Sequence, residues 1–273
     1  MVETQSKIEI FLESMPWIKN FRDNIFVLKY GGEILLSEQN IQNIATDIEL
    51  LTLLGIRTVV VHGGGPQLDK VLNEKEISFE KKNGMRVYSK DILQESQKVF
   101  KLISRDLKRS IDATGIKTKL IPKDYVKVER IPGLGYVGKV TDINPLFSKM
   151  IDGIIVPIMP LFGRDGNGEL CNLNADDMAV SVAEALGAEK LIIHTSVDGV
   201  FNKRSEIITH LNLEKAEGMI QKGYIKGGMI PKVLHCLQSE KVGKIHIING
   251  NIPHALLYEV FTEKGIGTEI VRN

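Results

Sequence analysis

Cysteine is nearly missing from this sequence: 273 residues contain two, Cys171 and Cys236, far apart and without CxxC spacing. That argues against a disulfide framework or a cysteine zinc site, and a reducing cytoplasm is the expected setting. An excess of one charge is lacking too, because 35 Lys and Arg stand against 34 Asp and Glu. Backbone phosphates demand a concentrated basic surface, so a nucleic-acid partner is not expected. Long apolar runs are absent. The longest, such as 154–162, are of strand length and fall short of the roughly 20 residues of a membrane span. Glu3, Glu9 and Glu13 interrupt the apolar N-terminus, which does not suit a secretory signal. None of the six histidines has ligand spacing with another, and no Ser/His/Asp or Cys/His set stands out. His62, at a strand end, reads as a satisfied core histidine.

What is present is an alternation of β-rich apolar runs and helical periodicity, the pattern of an α/β fold around a mostly parallel sheet. A strand over 25–30 runs into Gly31-Gly32. Ser37 then offers an N-cap for a helix that Gly55 stops. A second strand, 58–62, ends in Gly63-Gly64-Gly65-Pro66, with Pro66 suited to a helix start. A long helix over 91–111 follows, then short strands over 126–131 and 133–140, read as a hairpin excursion. Further strands are expected at 154–159, 191–194 and 244–248. Helices are expected from Asp176 or Asp177 to Gly187 and over 255–261. Ile8, Phe11, Leu12 and Met15 give the N-terminal segment a helical period, with a kink expected at Pro16 before Trp17 and Phe21. That segment could cover its own domain or a partner chain.

Five places carry chemistry. Lys29 ends a buried strand just before two glycines, at the strand end where α/β sheets bind ligands. The second glycine cluster enters a helix N-terminus, whose free N–H groups and dipole suit a phosphate or carboxylate. Arg86 follows Lys81-Lys82 and a turn, and a guanidinium forks onto carboxylates. Asn172 and Asn174 point the same way on an extended segment, and Asp176 either caps the next helix or steadies a lysine. Lys232 sits in the first turn of a helix entered by Gly227-Gly228, where a cation is disfavoured unless an anion compensates it. Each place also has a bland reading as turn, cap or solvated charge.

In this order the five pieces resemble the amino-acid kinase family, and within it the acetylglutamate kinases. The resemblance rests on Lys29-Tyr30-Gly31-Gly32, His62-Gly63-Gly64-Gly65-Pro66, Asn83-Gly84-Met85-Arg86, Asn172-Leu173-Asn174-Ala175-Asp176 and Gly227-Gly228-Met229-Ile230-Pro231-Lys232. It implies a three-layer α/β/α sandwich: a lobe for the acetylated amino acid over 22–187 and an ATP lobe over 188–273, preceded by a kinked oligomerisation helix over 1–21. The implied reaction moves the γ-phosphoryl group of ATP to the side-chain carboxylate of N-acetyl-L-glutamate, a step of arginine biosynthesis. Lys29 and Lys232 would stabilise the moving group and Asp176 would orient them. Gly64, Gly65, Arg86 and Asn172 would bind the amino acid. Gly31, Gly32, Thr195, Gly199, Gly227 and Gly228 would face the nucleotide, with Mg²⁺ held mainly by its phosphates. The N-terminal helix and C-terminal segment resemble the arginine-inhibited branch. That implies a homodimer or hexamer in which Trp17 and Phe21 face a partner, with Glu259 and Gly267 near the arginine. One departure is Ser196, where the family usually has Asp, which predicts altered nucleotide affinity. Two rival readings are an aminoadipate-type kinase with a carrier-bound substrate and an arginine-sensing protein with weakened catalysis.

Overall fold

A computed structural model describes residues 2–271 apart from Asn83 and Asp152, with side chains from Leu12 onward. Helix α1 (Val2–Phe21) leads into β1 (Ile25–Tyr30), α2 (Glu38–Leu53), β2 (Arg57–His62) and α3 (Gly65–Glu74). A small hairpin, β3 (Lys81–Lys82) and β4 (Met85–Arg86), precedes α4 (Lys90–Ala113) and β5 (Lys117–Leu120). Five strands follow: β6 (Val126–Arg130), β7 (Val137–Ile143), β8 (Ile155–Ile158), β9 (Phe162–Arg164) and β10 (Leu170–Leu173). Helix α5 (Ala175–Leu186) leads to β11 (Lys190–Thr195), β12 (His210–Leu211), α6 (Leu213–Gln221) and α7 (Met229–Leu237). The chain continues through β13 (Lys244–Asn249), α8 (Ala255–Phe261) and β14 (Thr268–Ile270). No helix among the described residues is long and apolar enough to cross a membrane.

The main sheet has eight strands in the order β12-β14-β13-β11-β1-β2-β8-β5. Every neighbouring pair is parallel except β13 with β14. Phe26, Val27 and Leu28 of β1 are fully buried, as their unbroken apolar run requires of a strand covered on both faces. Helix α4 packs on α2 and α3, and α7 packs on α5 and α6, and with the sheet these helices form the expected α/β/α sandwich. The chain leaves β1 for β2 on one side and pairs with β11 on the other. Divergence of connections around β1 opens a crevice at the strands' carboxyl ends, where Lys29, Gly31 and His194 lie. The expected lobe boundary at 187/188 falls inside this continuous sheet, because β1 pairs with β11 from Phe26 to Tyr30.

Local signals behave as read. Ser37 accepts a hydrogen bond from Asn40 N–H as the cap of α2; the structure adds Ser89 as the cap of α4, accepting from Ile92 N–H. Gly187 ends α5 with φ +58°, a conformation that costs glycine little.

Three further expectations concern the strands at 126–143 and helix α1. The hairpin excursion is there, since β6 and β7 pair antiparallel, and β10-β7-β6-β9 go further and close into a four-stranded barrel, which leaves none of the four with an open edge. Helix α1 continues through Pro16 to Phe21 as one element. Phe21 is buried in its own chain against Phe26, with ring centroids 5.3 Å apart, and Trp17 stacks on Phe21 at 5.9 Å. Phe21 therefore belongs to the domain's own core, and Trp17 is partly buried against it. Leu12 is the exposed apolar residue of the helix's described part, and the side chains of Ile8 and Phe11 lie outside it.

Candidate active site

Two lysines 203 residues apart in sequence converge on one carboxylate. Lys29 Nζ lies 2.7 Å from Asp176 Oδ1, and Lys232 Nζ lies 2.7 Å from Asp176 Oδ2. All three groups are buried or nearly so. Lys29 comes from β1, Asp176 from the first turn of α5, which packs across β1, and Lys232 from α7, which packs on α5. The expectation that Asp176 caps its helix is corrected. Asn174 is the cap, its side-chain oxygen accepting from the N–H groups of Asp176 and Asp177. This frees the Asp176 carboxylate for the lysines.

The electrostatics follow from the geometry. Burial pushes Asp176 up, but the two ammonium groups outweigh it and hold the carboxyl well below its usual range. Burial lowers Lys29, Asp176 opposes that shift, and Lys232 adds to it. Two positive charges against one negative leave a unit of positive charge in a dry site. Such a site is complementary to an anion that arrives between the lysines.

The two glycine loops form the neighbouring wall. A Cβ on Gly32 would lie 2.9 Å from Pro66 Cδ and 3.0 Å from Gly64 Cα, and one on Gly64 would lie 2.6 Å from Phe100 Cε1. Only glycine allows the loops to touch in this way. Gly65 faces open space, and α3 starts there with no side-chain cap. Gln67 donates from Nε2 to Gly32 O at 2.7 Å, fastening one loop to the other. Gly31 N–H is already committed to His194 O at 3.1 Å.

Arg86 is ion-paired with Asp69, and its guanidinium carbon stands 4.6 Å from the Phe79 ring centroid, while its buried Nε has no partner. Its hairpin is joined to β10 through the backbone. Tyr88 N–H donates to Leu134 O, Tyr136 N–H to Tyr88 O, and Asn172 N–H to Tyr136 O. The buried Oδ1 of Asn172 also lacks a partner. Arg86 Nε and Asn172 Oδ1 are thus an unpaired donor and an unpaired acceptor, each costly to leave so without a ligand. Asn83 lies outside the described residues.

On the other side of the crevice, Gly228 opens α7 without a side-chain cap and faces open space. Thr195 ends β11, and its carbonyl accepts from Gly250 N–H at 2.9 Å. Gly199 has a structural reason to be glycine. At its φ of +144° a Cβ would lie 2.7 Å from Thr268 Oγ1, which accepts from Val200 N–H. Among the described residues no three or more His, Cys, Asp or Glu side chains group as they would around a metal.

The chemistry of His62 is as read: it bonds Ser104 Oγ at 2.7 Å and is lowered to about 4 by burial. Sequence reasoning missed two supporting residues, Asp69 and His194, and the capping role of a third, Asn174. Asn174 frees Asp176, Asp69 holds Arg86, and His194 stacks on Tyr30 with centroids 4.3 Å apart. Burial lowers His194 to about 3, so it stays neutral beside Lys29. Only the pairing of Tyr30 with His194 across β1 and β11 could have revealed it.

Glu259 and Gly267 lie away from the lysines. The Glu259 carboxylate is buried, 2.6 Å from His246 Nδ1, and accepts from the N–H groups of Ile266 and Gly267. It shapes the loop before β14. Next to it, a cavity of about 620 Å³ between α1, α2 and α8 is lined by Glu13, Leu50, Leu54, His254 and Tyr258, among others.

Residues 24–249 match the model of the amino acid kinase family. The chain is 37% identical to the acetylglutamate kinase of Syntrophus aciditrophicus, over 97% of each chain. It is 38% identical to that of Methanocaldococcus jannaschii, over 100% of this chain and 99% of the relative. Its fold superposes with a TM-score of 0.89 on an N-acetylglutamate synthase from Neisseria gonorrhoeae, solved with coenzyme A and N-acetyl-glutamate. That pair is 24% identical, and the alignment covers 97% of this chain and 63% of the synthase. A carbamate kinase from Giardia lamblia bound to AMP-PNP superposes with a TM-score of 0.68 at 16% identity, over 92% of this chain and 99% of that one.

Proposed function

This chain belongs to the amino acid kinase family, and we propose that it phosphorylates N-acetyl-L-glutamate on its side-chain carboxylate. ATP is the donor, and the product is the acyl phosphate N-acetyl-L-glutamyl 5-phosphate. The observation that carries the reading is the buried pairing of Lys29 and Lys232 with Asp176. A carboxylate acceptor with a pKa of about 4.3 is already ionised at neutral pH, so no general base is needed. The difficulty is instead electrostatic, an anion meeting a polyanion. Lys29 and Lys232 would face the charge on the transferring phosphoryl group, and Asp176 would hold them in place. Gly64 and Gly65, with Arg86 Nε and Asn172 Oδ1, would receive the acetylated amino acid. Gly32, Gly228 and the start of α7 would receive the nucleotide phosphates. Mg²⁺ bound to those phosphates would neutralise part of their charge.

The test is ADP release from the purified chain with ATP and Mg²⁺. N-acetylglutamate is expected to support turnover, and a carrier-linked aminoadipate substrate is not. Turnover only with the carrier-linked substrate would move the chain to the rival kinase class. No turnover together with arginine binding would make it a sensor.

Arginine is the proposed feedback ligand, bound near α8 and the loop held by Glu259, with the cavity between α1, α2 and α8 beside them. The oligomer is proposed to be a homodimer or a trimer of dimers joined through the outer part of α1, beyond Leu12. Deleting residues 1–11, which spares Trp17 and Phe21, should convert a hexamer to a dimer in sizing chromatography. An unchanged mass would remove α1 from the interface.

A further inference from the structure

Three loops meet over the carboxyl ends of β1, β11 and β13, on the side of the crevice read above as nucleotide-facing. Asn249 Nδ2 donates to Asp198 Oδ1 at 2.7 Å, and Asn40 Nδ2 donates to Asn251 Oδ1 at 3.1 Å. The third link is Ser196 Oγ, at the start of the β11 loop, donating to the carboxylate of Glu33. Glu33 directly follows Gly31-Gly32. It is exposed, and among the described residues it has no cationic partner. Its side chain does not cap the short helical turn Ile34–Leu36 either. No structural duty of the charge is visible, since a neutral acceptor would serve Ser196 equally well.

The charges are therefore divided. Inside the crevice, Lys29 and Lys232 exceed Asp176 by one positive charge. At the rim beside the glycine loop, Glu33 presents one negative charge with nothing opposite it. Metal-free ATP would satisfy the lysines but set its phosphates against Glu33. ATP carrying a divalent cation offers an anion to the first and a cation to the second.

We propose that Glu33 is a specificity residue that makes the site prefer metal-loaded over metal-free nucleotide, with Ser196 steadying its carboxylate. This rests on the reading that nucleotide phosphates lie beside Gly31-Gly32. It is tested by equilibrium binding rather than turnover. The purified chain is titrated calorimetrically, without the amino-acid substrate, with ATP in EDTA and with ATP in excess Mg²⁺. The Glu33→Gln variant keeps size and an acceptor for Ser196 while removing the charge. It should bind metal-free ATP roughly 3–10-fold more tightly than wild type, with affinity for the Mg²⁺ complex within about twofold. Salt at about 0.5 M should shrink the difference, because the carboxylate is exposed. Ser196→Ala, which frees the carboxylate without discharging it, should give a smaller change in the same direction. Glu33→Gln affinities that shift equally, or not at all, would overturn the proposal while leaving the kinase reading intact. A wild-type chain that binds neither form of ATP would overturn both.

Discussion

Lys232→Ala is expected to lower kcat by roughly 100-fold or more while changing the KM for N-acetylglutamate only a few-fold. Lys232 Nζ is buried 2.7 Å from Asp176 and reaches that place from α7, a helix contributing a cation near its own positive end. The helix dipole disfavours a cation there, and in the resting protein the shared Asp176 carboxylate compensates it only in part, since it also serves Lys29. The position becomes favourable when charge gathers on a phosphoryl group in transit, which is the condition for raising kcat rather than affinity. Steady-state ADP release decides the matter. A variant turning over at near wild-type rate would remove Lys232 from the reaction, whatever its effect on binding.

Asp176→Asn should be damaging in two ways. Lys29 and Lys232 would lose their common anion inside a site that excludes water. Removing one member of a buried charge group costs about 3–5 kcal/mol, which for a domain of this class means a fall in Tm of roughly 6–15 °C. The lysines would also repel one another without an anchor between them, so activity should fall by at least about 100-fold. The stability effect carries a pH signature. Burial raises the Asp176 pKa and the two ammonium groups more than reverse it, so the folded-state value lies below the unfolded one. The carboxylate therefore contributes its full stabilisation above the unfolded value of about 3.9 and loses it as pH falls through the folded value. The gap in Tm between wild type and variant should be constant from pH 6 to 8 and begin to narrow only below about pH 4. A variant with unchanged Tm and activity within about threefold of wild type would show that the carboxylate is incidental.

Much of this protein was legible before folding was considered. The strand 25–30 appears with the expected limits, as does the helix 255–261. Ser37, Gly55 and Gly187 act as stop and start signals because capping and positive φ are properties of a few adjacent residues. The glycine clusters could be recognised as backbone crossings from their density alone. The four-stranded barrel was harder, because its strands are short and β10 pairs with β7, some thirty residues earlier. Strand β14 and helix α6 gave too few periodic positions to stand out. The cap of α5 was not legible because Asn174, Asp176 and Asp177 are all good caps by composition, and a shift of two residues separates the cap used, Asn174, from Asp176.

The chain by itself determined which groups are available: two lysines beside glycines, a helix-opening aspartate, an arginine and an asparagine, in an order that marks the family. Local rules suffice there, since propensity, capping and periodicity act within a few residues. Only the tertiary structure decided that Lys29 and Lys232 meet on Asp176, that Arg86 is held by Asp69, that Phe21 closes its own core, and that Glu33 faces Ser196. Those outcomes depend on distances between distant segments, set by how the helices and loops stack around the mostly parallel sheet. Burial then changes the charges themselves, and no reading of single positions carries that information.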